Sequence, residues 1–527
     1  MGTRSDHALR PHGGPSGAPA HPSPDLALVT GLPSPAGAVT DGAGSGAEHP
    51  RRAHDRLAVL LDPGSFREIG SQRAARQNGA RSRPGDGVVT GYGTVHGRRV
   101  CVFAQEFGVR GGTMGEAHAD KIRRLAAMAL SAGVPVVGLY DGGGARIDEG
   151  VRALDACGRV FQQFVSASGV VPQISVVLGP CAGAAAYAPA LTDFVFMVRG
   201  SGTLYLTGPD VVRTVTSEEV DGQSLGGAQV HGTQTGLAAF VHDAEEASLA
   251  DVRYLLSLLP SHAGEGPQVL ATTDDQPRLC PGLRDLVPSD PRHPYDVVSV
   301  IEEVVDRDTF IEVHQGWGRS IVCGIGRIGG RVVGVVASQP LVRAGVIDIE
   351  ASQKAARFVR TCDAFRIPLA TLVDVPGFMP GQEQESGAII RHGAKLLHAY
   401  CEATVPRIQV ILRKAYGGAY IVMDAPSVGT DLSFAWPTNE VAVMGPRGAV
   451  EIVHRRDLAL ASDPLARRGE LEEEYRASYL HPRVAAEAGM VHEVIDPADT
   501  RNVLIDALDL LQDKAGARGR KHANHPV

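Results

Sequence analysis

Val171-Pro172-Gln173-Ile174-Ser175-Val176-Val177-Leu178-Gly179 runs into Ala182-Gly183-Ala184-Ala185-Ala186-Tyr187. Val405-Pro406-Arg407-Ile408-Gln409-Val410-Ile411-Leu412-Arg413 runs into Gly417-Gly418-Ala419-Tyr420. Each stretch is an apolar run that empties into a turn of small residues. Upstream of each stands a hydrophobic run ending in an acid and glycines, Val136 to Gly144 (VVGLYDGGG) and Leu369 to Gly377 (LATLVDVPG); downstream of each lies Gly-Pro, at Gly208-Pro209 and Gly445-Pro446. The offsets barely drift: 233 from Asp141 to Asp374, 234 from Pro172 to Pro406, 235 from Gly183 to Gly418 and 237 from Gly208 to Gly445. Four landmarks in order at nearly constant spacing mark two copies of one α/β domain. Each copy presents a small-residue turn able to aim backbone N–H groups at a ligand oxygen.

Working outward, residues 88–94 and 99–104 are β-rich runs around a turn at His96-Gly97, and Gly111 to Gly115 opens a helical stretch over 116–132. A strand over 136–140, a helix over about 150–168, a strand over 173–178 and a helix start at Gly183 follow. The second half repeats this with strand 332–337, helix 348–365, strand 369–373, helix 387–403, strand 407–412 and a helix start at Gly418. Alternating buried strands and helices predict a mainly parallel sheet in each copy, with ligands at the carboxyl ends of the strands. The expected organisation is a Pro-, Gly- and Ala-rich disordered tail over 1–48, an N-terminal domain over 49–259, a polar, Pro-rich linker over 260–291, a C-terminal domain over 292–515 and a frayed terminus over 516–527.

The 527 residues are too many for one ordinary core, which agrees with two domains. A formal charge of -8 with no basic block argues against nucleic acid and anionic membrane surfaces. The seven cysteines include no C-x-x-C pair and no cluster with His at ligand spacing, so free thiols and no metal are expected. No apolar run approaches the roughly 20 residues of a membrane span. Arg51-Arg52 is followed only by a short apolar run, not a signal segment, so the expected location is the cytoplasm.

The two turns carry the chemistry. At Gly183-Ala184 and Gly418-Ala419 a minimal side chain lets a carbonyl approach the backbone, and an N–H pair at a helix start can hold an oxyanion. Two copies imply two such holes, one for each of two carbonyl-bearing reactants. The sequence has no G-x-S-x-G elbow, H-E-x-x-H, P-loop or strand-borne G-x-G-x-x-G. The run Asp141-Gly142-Gly143-Gly144 resembles a phosphate loop, but its acid disfavours an anion. Asp374 to Gly381 (DVPGFMPG) sits at the equivalent strand end, where its prolines and glycines either shape a pocket for a ring or acyl group or make a rigid connection. His231, Glu149, Tyr187 and Tyr416 are the polar groups to consider for proton transfer. Arg146, Lys414, Arg413 and Lys354 are those to consider for the phosphates of a large anionic ligand.

At this point the residues resemble a known family. The blocks Asp141 to Gly150 (DGGGARIDEG), Ser168 to Phe194, Thr207 to Val220, Leu225-Gly226-Gly227-Ala228, Ala355 to Cys362, Val373 to Gly381 (VDVPGFMPG), Ile389 to Leu397, Arg413 to Tyr420 (RKAYGGAY) and Phe434 to Gly448 (FAWPTNEVAVMGPRG) are similar to the carboxyltransferase β subunits of biotin-dependent acyl-CoA carboxylases, the propionyl-CoA carboxylase group above all. The likeness covers residues 51–515. It implies two duplicated ClpP/crotonase-like domains (a ββα spiral superhelix) and a homo-hexamer in which each active site lies between the N domain of one subunit and the C domain of its dimer mate. It further implies that Gly418 and Ala419 hold the acyl-CoA thioester oxygen and Gly183 and Ala184 the ureido oxygen of carboxybiotin. No side chain is an obligatory base, because biotin itself takes the α-proton. Gly143, Ala145, Arg146, Tyr187, Gly377, Phe378 and Ile421 are the substrate-binding positions that the likeness marks.

The activity implied is transfer of a carboxyl group from carboxybiotin on a separate carrier to a short-chain acyl-CoA, propionyl-CoA first and acetyl- or butyryl-CoA next. The chain has no ATP-grasp domain and no M-K-M carrier motif, so a biotin carboxylase/biotin carboxyl carrier α subunit is the implied partner. The same half-reaction run backwards, in a biotin-dependent decarboxylase, and a non-catalytic scaffold paralogue are the alternatives. Three departures stand out. Ala184 replaces the second glycine of a common A-G-G, survivable only where φ is negative; Ile421 stands where propionyl-preferring relatives often carry Asp; Asp424 stands where relatives often carry Gly. The four-Cys zinc ribbon of split-type acetyl-CoA carboxylase β subunits is missing.

Overall fold

In the computed structural model, residues 52–75, 84–274 and 277–514 are described; the expected tail over 1–48 and terminus over 516–527 lie outside them. Two eight-stranded sheets repeat one another. The first begins with antiparallel Arg67–Ile69, Val88–Val95 and Arg98–Gln105 and continues with parallel Val136–Gly142, Gln173–Ala182, Phe194–Val198 and Phe240–His242. The second begins with antiparallel Ile311–Val313, Ile321–Ile328 and Arg331–Ser338 and continues with parallel Leu369–Val375, Arg407–Tyr416, Leu432–Ala435 and Glu493–Val494.

Local chemistry accounts for these elements. The opening hairpins turn through His96-Gly97 (φ 50° and 75°) and Gly329-Gly330 (φ 59° and 79°). Paired positive φ values give the turn twist that matches two antiparallel strands. Arg407–Tyr416 is buried along its whole length, as a parallel strand covered on both faces must be. Helix Glu116–Ala132 stops at Gly133 in the left-handed conformation, φ 65°, and helix Ile349–Ala364 starts where the Asp348 carboxylate accepts the Ala351 N–H.

In both sheets the strand that leads to the small-residue turn is longer than the apolar run predicts. Gln173–Ala182 and Arg407–Tyr416 each extend four residues past the expected end. There they gain a second neighbour, Thr203–Tyr205 and Glu440–Ala442 respectively. One hydrophobic core draws on both halves, with Ile174 and Phe194 of the first and Val359 and Phe365 of the second in the same cluster. The halves also exchange hydrogen bonds: His314 N to Ala239 O at 2.9 Å and the Tyr254 hydroxyl to Thr309 O at 2.6 Å. Within 260–291, Cys280, Leu283 and Val287 are buried against Trp436 and Leu504, so the end of this polar segment is packed onto the second sheet.

Candidate active site

Each long strand releases its chain into a helical turn at the carboxyl edge of its sheet, Gly183–Ala186 in the first half and Gly417–Val422 in the second. Gly183 has φ 60° and Gly417 φ 59°, so a left-handed glycine is the first residue of both turns. The true equivalence is therefore Gly183 with Gly417, at the strand offset of 234, and Ala184 with Gly418. The one-residue-later match of Gly183 with Gly418 is corrected by the backbone. Gly417 is the left-handed glycine that the sequence reading missed, because two adjacent glycines are indistinguishable until their dihedral angles are known. Ala184 is outside the left-handed region, so the Ala in place of a second glycine is free of strain. The first N–H groups of each turn have no intrahelical acceptor and carry the positive end of the local dipoles.

A second loop closes on each turn from the neighbouring strand. Met114 N–H donates to Gly144 O (2.7 Å) and Arg146 N–H to Met114 O (2.9 Å); in the other half Ile347 N–H donates to Gly377 O (3.1 Å) and Met379 N–H to Ile347 O (2.8 Å). Ala145 and Phe378 are thus equivalent, at offset 233. Gly144 (φ 97°) and Gly377 (φ 153°) precede them in conformations that favour glycine. A Cβ on Gly144 would lie 2.6 Å from the Ala182 carbonyl, so this loop touches the first turn directly. Phe378 bounds the second turn: a Cβ on Gly418 would lie 4.0 Å from its ring, and one on Gly393 only 3.0 Å. Gly143 is exposed, and its N–H donates to Gly111 O at 2.8 Å.

The strand-end acids are neutralised internally. Asp141 pairs with Arg56 at 2.7 Å, and Arg56 also holds Glu245 at 2.6 Å. Asp374 accepts from Arg413 Nε and from Lys414 N–H at 3.0 and 3.2 Å. Burial raises the Asp141 carboxyl above its usual range, and Arg56 opposes the rise. The same acid thus takes its cation from a helix in one half and from the adjacent strand in the other.

Four cations considered for phosphate binding have internal partners instead. Arg146 is buried against Asp86 (2.9 Å) and Glu149 (2.7 Å), so two carboxylates already hold its guanidinium. Arg413 gives Nη1 to the carbonyls of Pro288, Asp290 and His293 at 3.0 Å, and Lys414 gives Nζ to Pro291 O at 3.1 Å. Burial lowers the Lys414 pKa, opposed by Asp374. Lys354 is buried and donates to Ile321 O at 2.9 Å.

Three proton-transfer candidates are likewise occupied. His231 is held by Leu204 O and Thr235 Oγ1 (2.7 and 2.9 Å), Glu149 accepts Glu116 N–H (2.6 Å), and the Tyr416 hydroxyl bonds Glu440. Burial raises the Tyr416 pKa further. What remains at both strand edges is a small-residue turn led by a left-handed glycine and walled by a second loop, with Tyr187 exposed beside the first.

The model of the family described as carboxyl transferase domain matches residues 49–525. The chain belongs to that family. It is 51% identical over 480 residues to the propionyl-CoA carboxylase carboxyltransferase subunit of Haloferax mediterranei, covering 90% of this chain and 93% of the relative. It is 46% identical over 480 residues, with the same coverages, to the methylmalonyl-CoA decarboxylase subunit alpha of Propionigenium modestum. Among solved structures it resembles the hexameric transcarboxylase 12S with methylmalonyl-CoA bound, at a TM-score of 0.87 and 46% identity, covering 90% of this chain and 92% of that one. The fold is the crotonase-like carboxyltransferase fold with duplicated domains.

Within this carboxyltransferase the departures have physical accounts. Tyr187 and Ile421 occupy the same place in the two halves, at offset 234, and both are exposed, 50% and 41%. Ala419 is buried, whereas Gly418 and Ile421 on either side of it in the chain are exposed. Asp424 has φ 62°, the conformation for which glycine is usual. The fully buried carboxylate is retained by Arg407 at 2.8 Å, while burial raises its pKa to about 6. Among the described residues no group of three or more His, Cys, Asp and Glu is placed to hold a metal, and no helix is long and apolar enough to cross a membrane.

Proposed function

We propose that this chain is the carboxyltransferase subunit of a short-chain acyl-CoA carboxylase, converting propionyl-CoA to methylmalonyl-CoA with carboxybiotin as donor. One observation carries the reading: two equivalent turns, each led by a left-handed glycine, beside strand-end acids already neutralised by internal cations. An enzyme that must stabilise two enolate-like oxygens needs two preorganised donor sets and no adjacent unpaired carboxylate. Propionyl-CoA is the favoured acceptor because the Haloferax relative carries that name and the bound molecule of transcarboxylase 12S is the corresponding product.

In this reading the Gly418 and Ala419 N–H groups donate to the thioester oxygen, lowering the cost of removing the α-proton. Gly183 and Ala184 N–H groups donate to the ureido oxygen of the carrier-bound biotin. Biotin supplies the carboxyl group and the base when bound. Both cradles suit flat carbonyl groups: nothing lies nearer a Cβ on Gly183 than Leu206 O at 3.9 Å, nor one on Gly418 than Phe378 at 4.0 Å. Phe378 and Gly377 wall the acyl side, with Ile421 facing the acyl chain; Ala145 walls the biotin side, with Gly143 and Tyr187 at its rim. Arg146 acts from behind by holding the Met114–Glu149 segment. A biotin carboxylase/carrier α subunit, a homo-hexamer and a cytoplasmic location complete the proposal.

The test is fixation of radiolabelled bicarbonate by the purified chain with a biotinylated α subunit and ATP, across acetyl-, propionyl- and butyryl-CoA. Incorporation into propionyl-CoA that disappears in Gly183→Pro and Gly418→Pro hexamers is expected. No incorporation with any acyl-CoA would overturn the proposal. The 46% identity to a methylmalonyl-CoA decarboxylase subunit supports the reverse reading. That reading predicts carboxyl transfer from methylmalonyl-CoA to biotin without net fixation.

A further inference from the structure

A cavity of about 750 Å³ lies between the two halves of the subunit, away from both turns. Its first wall includes Ser168 and Asp193, at the ends of the segments that enter strands Gln173–Ala182 and Phe194–Val198. These are the amino ends of the strands, whereas Gly183 is at a carboxyl end. The second wall is the face of helices Ile349–Ala364 and Ile389–Glu402. The volume falls in the range of small-molecule sites, roughly 300–1,000 Å³.

The lining is electrostatically one-sided. Three cationic side chains, Arg357, Arg360 and Lys395, line it with one carboxylate, Asp193, while a fourth lining cation, Lys354, is turned to Glu312 at 3.6 Å. Arg357 is held across the cleft by Thr192 O at 2.8 Å, and Arg360 lies 3.3 Å from Glu402. Asp193 accepts the Gln173 N–H at 2.8 Å, so part of its own charge is satisfied by backbone. Lys395 is half-buried. A half-buried ammonium gains from an anion that joins it. Trp317, 8% exposed, also lines the cavity, and its indole N–H and the Nδ1 of neighbouring His314 are buried without a hydrogen-bond partner. Buried polar atoms in proteins are ordinarily paired, and both of these orphans belong to residues that line the cavity.

We propose that this cleft binds a small phosphate- or carboxylate-bearing anion, held by Lys395, Arg357 and Arg360, and that its occupancy bridges the two halves. The acyl-CoA and biotin cradles are not involved, so the inference stands apart from the assigned reaction. The test is calorimetric titration of the full-length assembled protein with ADP, pyrophosphate and citrate at constant ionic strength, followed in parallel by tryptophan fluorescence. The expected result is saturable binding of at least one probe at one per subunit, with altered Trp317 emission, weakened at least tenfold in Lys395→Glu. Pyrophosphate without citrate assigns phosphate chemistry, citrate without pyrophosphate assigns carboxylate chemistry, and ADP alone adds a requirement for an aromatic body. Lys395→Gln, which only removes charge, is the second variant should Lys395→Glu fail to assemble. Absence of saturable binding by all three probes, or binding that both variants leave unchanged, would overturn the proposal.

Discussion

Gly417→Ala is the substitution that most directly tests how the second turn is built. At φ 59° an alanine costs about 1–2 kcal/mol in backbone strain, and its Cβ would stand 2.9 Å from the Val443 carbonyl. That neighbour is backbone, so the turn itself must move. Displacing one oxyanion donor costs roughly 10²–10³ in turnover, or about 2.7–4 kcal/mol. Two controls separate strain from donor loss. Gly183→Ala has the same strain at φ 60° but its nearest neighbour is 3.9 Å away, so a loss of roughly 5–30-fold is expected. Gly418→Ala is outside the left-handed region, meets only Phe378 at 4.0 Å, and recreates the Gly-Ala order of the first turn; its loss should stay below about tenfold. Initial rates of carboxyl transfer, with hexamer content and thermal midpoint measured alongside, give the ranking. Should Gly418→Ala prove more damaging than Gly417→Ala in equally assembled proteins, the reasoning about the left-handed glycine is refuted.

His118 is wholly buried, with Nδ1 facing Asp86 O at 3.1 Å and Nε2 facing the Gln105 amide at 3.2 Å, and burial depresses its pKa to about 3. Between that value and the unfolded value near 6.5 the unfolded chain binds more protons, so stability falls as pH falls. Denaturant titrations should show about 2 kcal/mol lost to this residue between pH 7 and pH 5, and His118→Gln should flatten that difference. Arg56→Met leaves Asp141 and Glu245 unpaired beside the first strand end and should lower stability by about 3–5 kcal/mol in chemical denaturation. Ile421→Asp should lower kcat/KM for butyryl-CoA more than for propionyl-CoA, by a ratio corresponding to about 1–3 kcal/mol, read from competing-substrate rates.

Much of the fold was legible because its strands are buried on both faces and therefore spell continuous Val, Ile and Leu runs. The helix expected over 116–132 is Glu116–Ala132, and the one expected over 348–365 is Ile349–Ala364. The final residues of the two long strands, Gly179 to Ala182 and Arg413 to Tyr416, were not legible. Their glycine, proline and charged residues enter the sheet only because Thr203–Tyr205 and Glu440–Ala442 come back to pair with them. The partners of the cations at 146, 354, 413 and 414 were hidden for a related reason. A sequence shows a charge but not the carboxylate or carbonyl folded against it, and Asp86 lies 60 residues from the Arg146 that it neutralises. The packed end of 260–291 was hidden because its few apolar residues lie among turn formers.

The sequence by itself determined the duplication, the alternation of strand and helix and the position of both small-residue turns, since these depend on local composition and regular spacing. Tertiary structure alone decided which glycine of each turn is left-handed, how the strand-end acids are neutralised, and that a cationic cleft lies between the halves. Those features arise from backbone dihedrals and from contacts between residues far apart in the chain, and no local pattern encodes them.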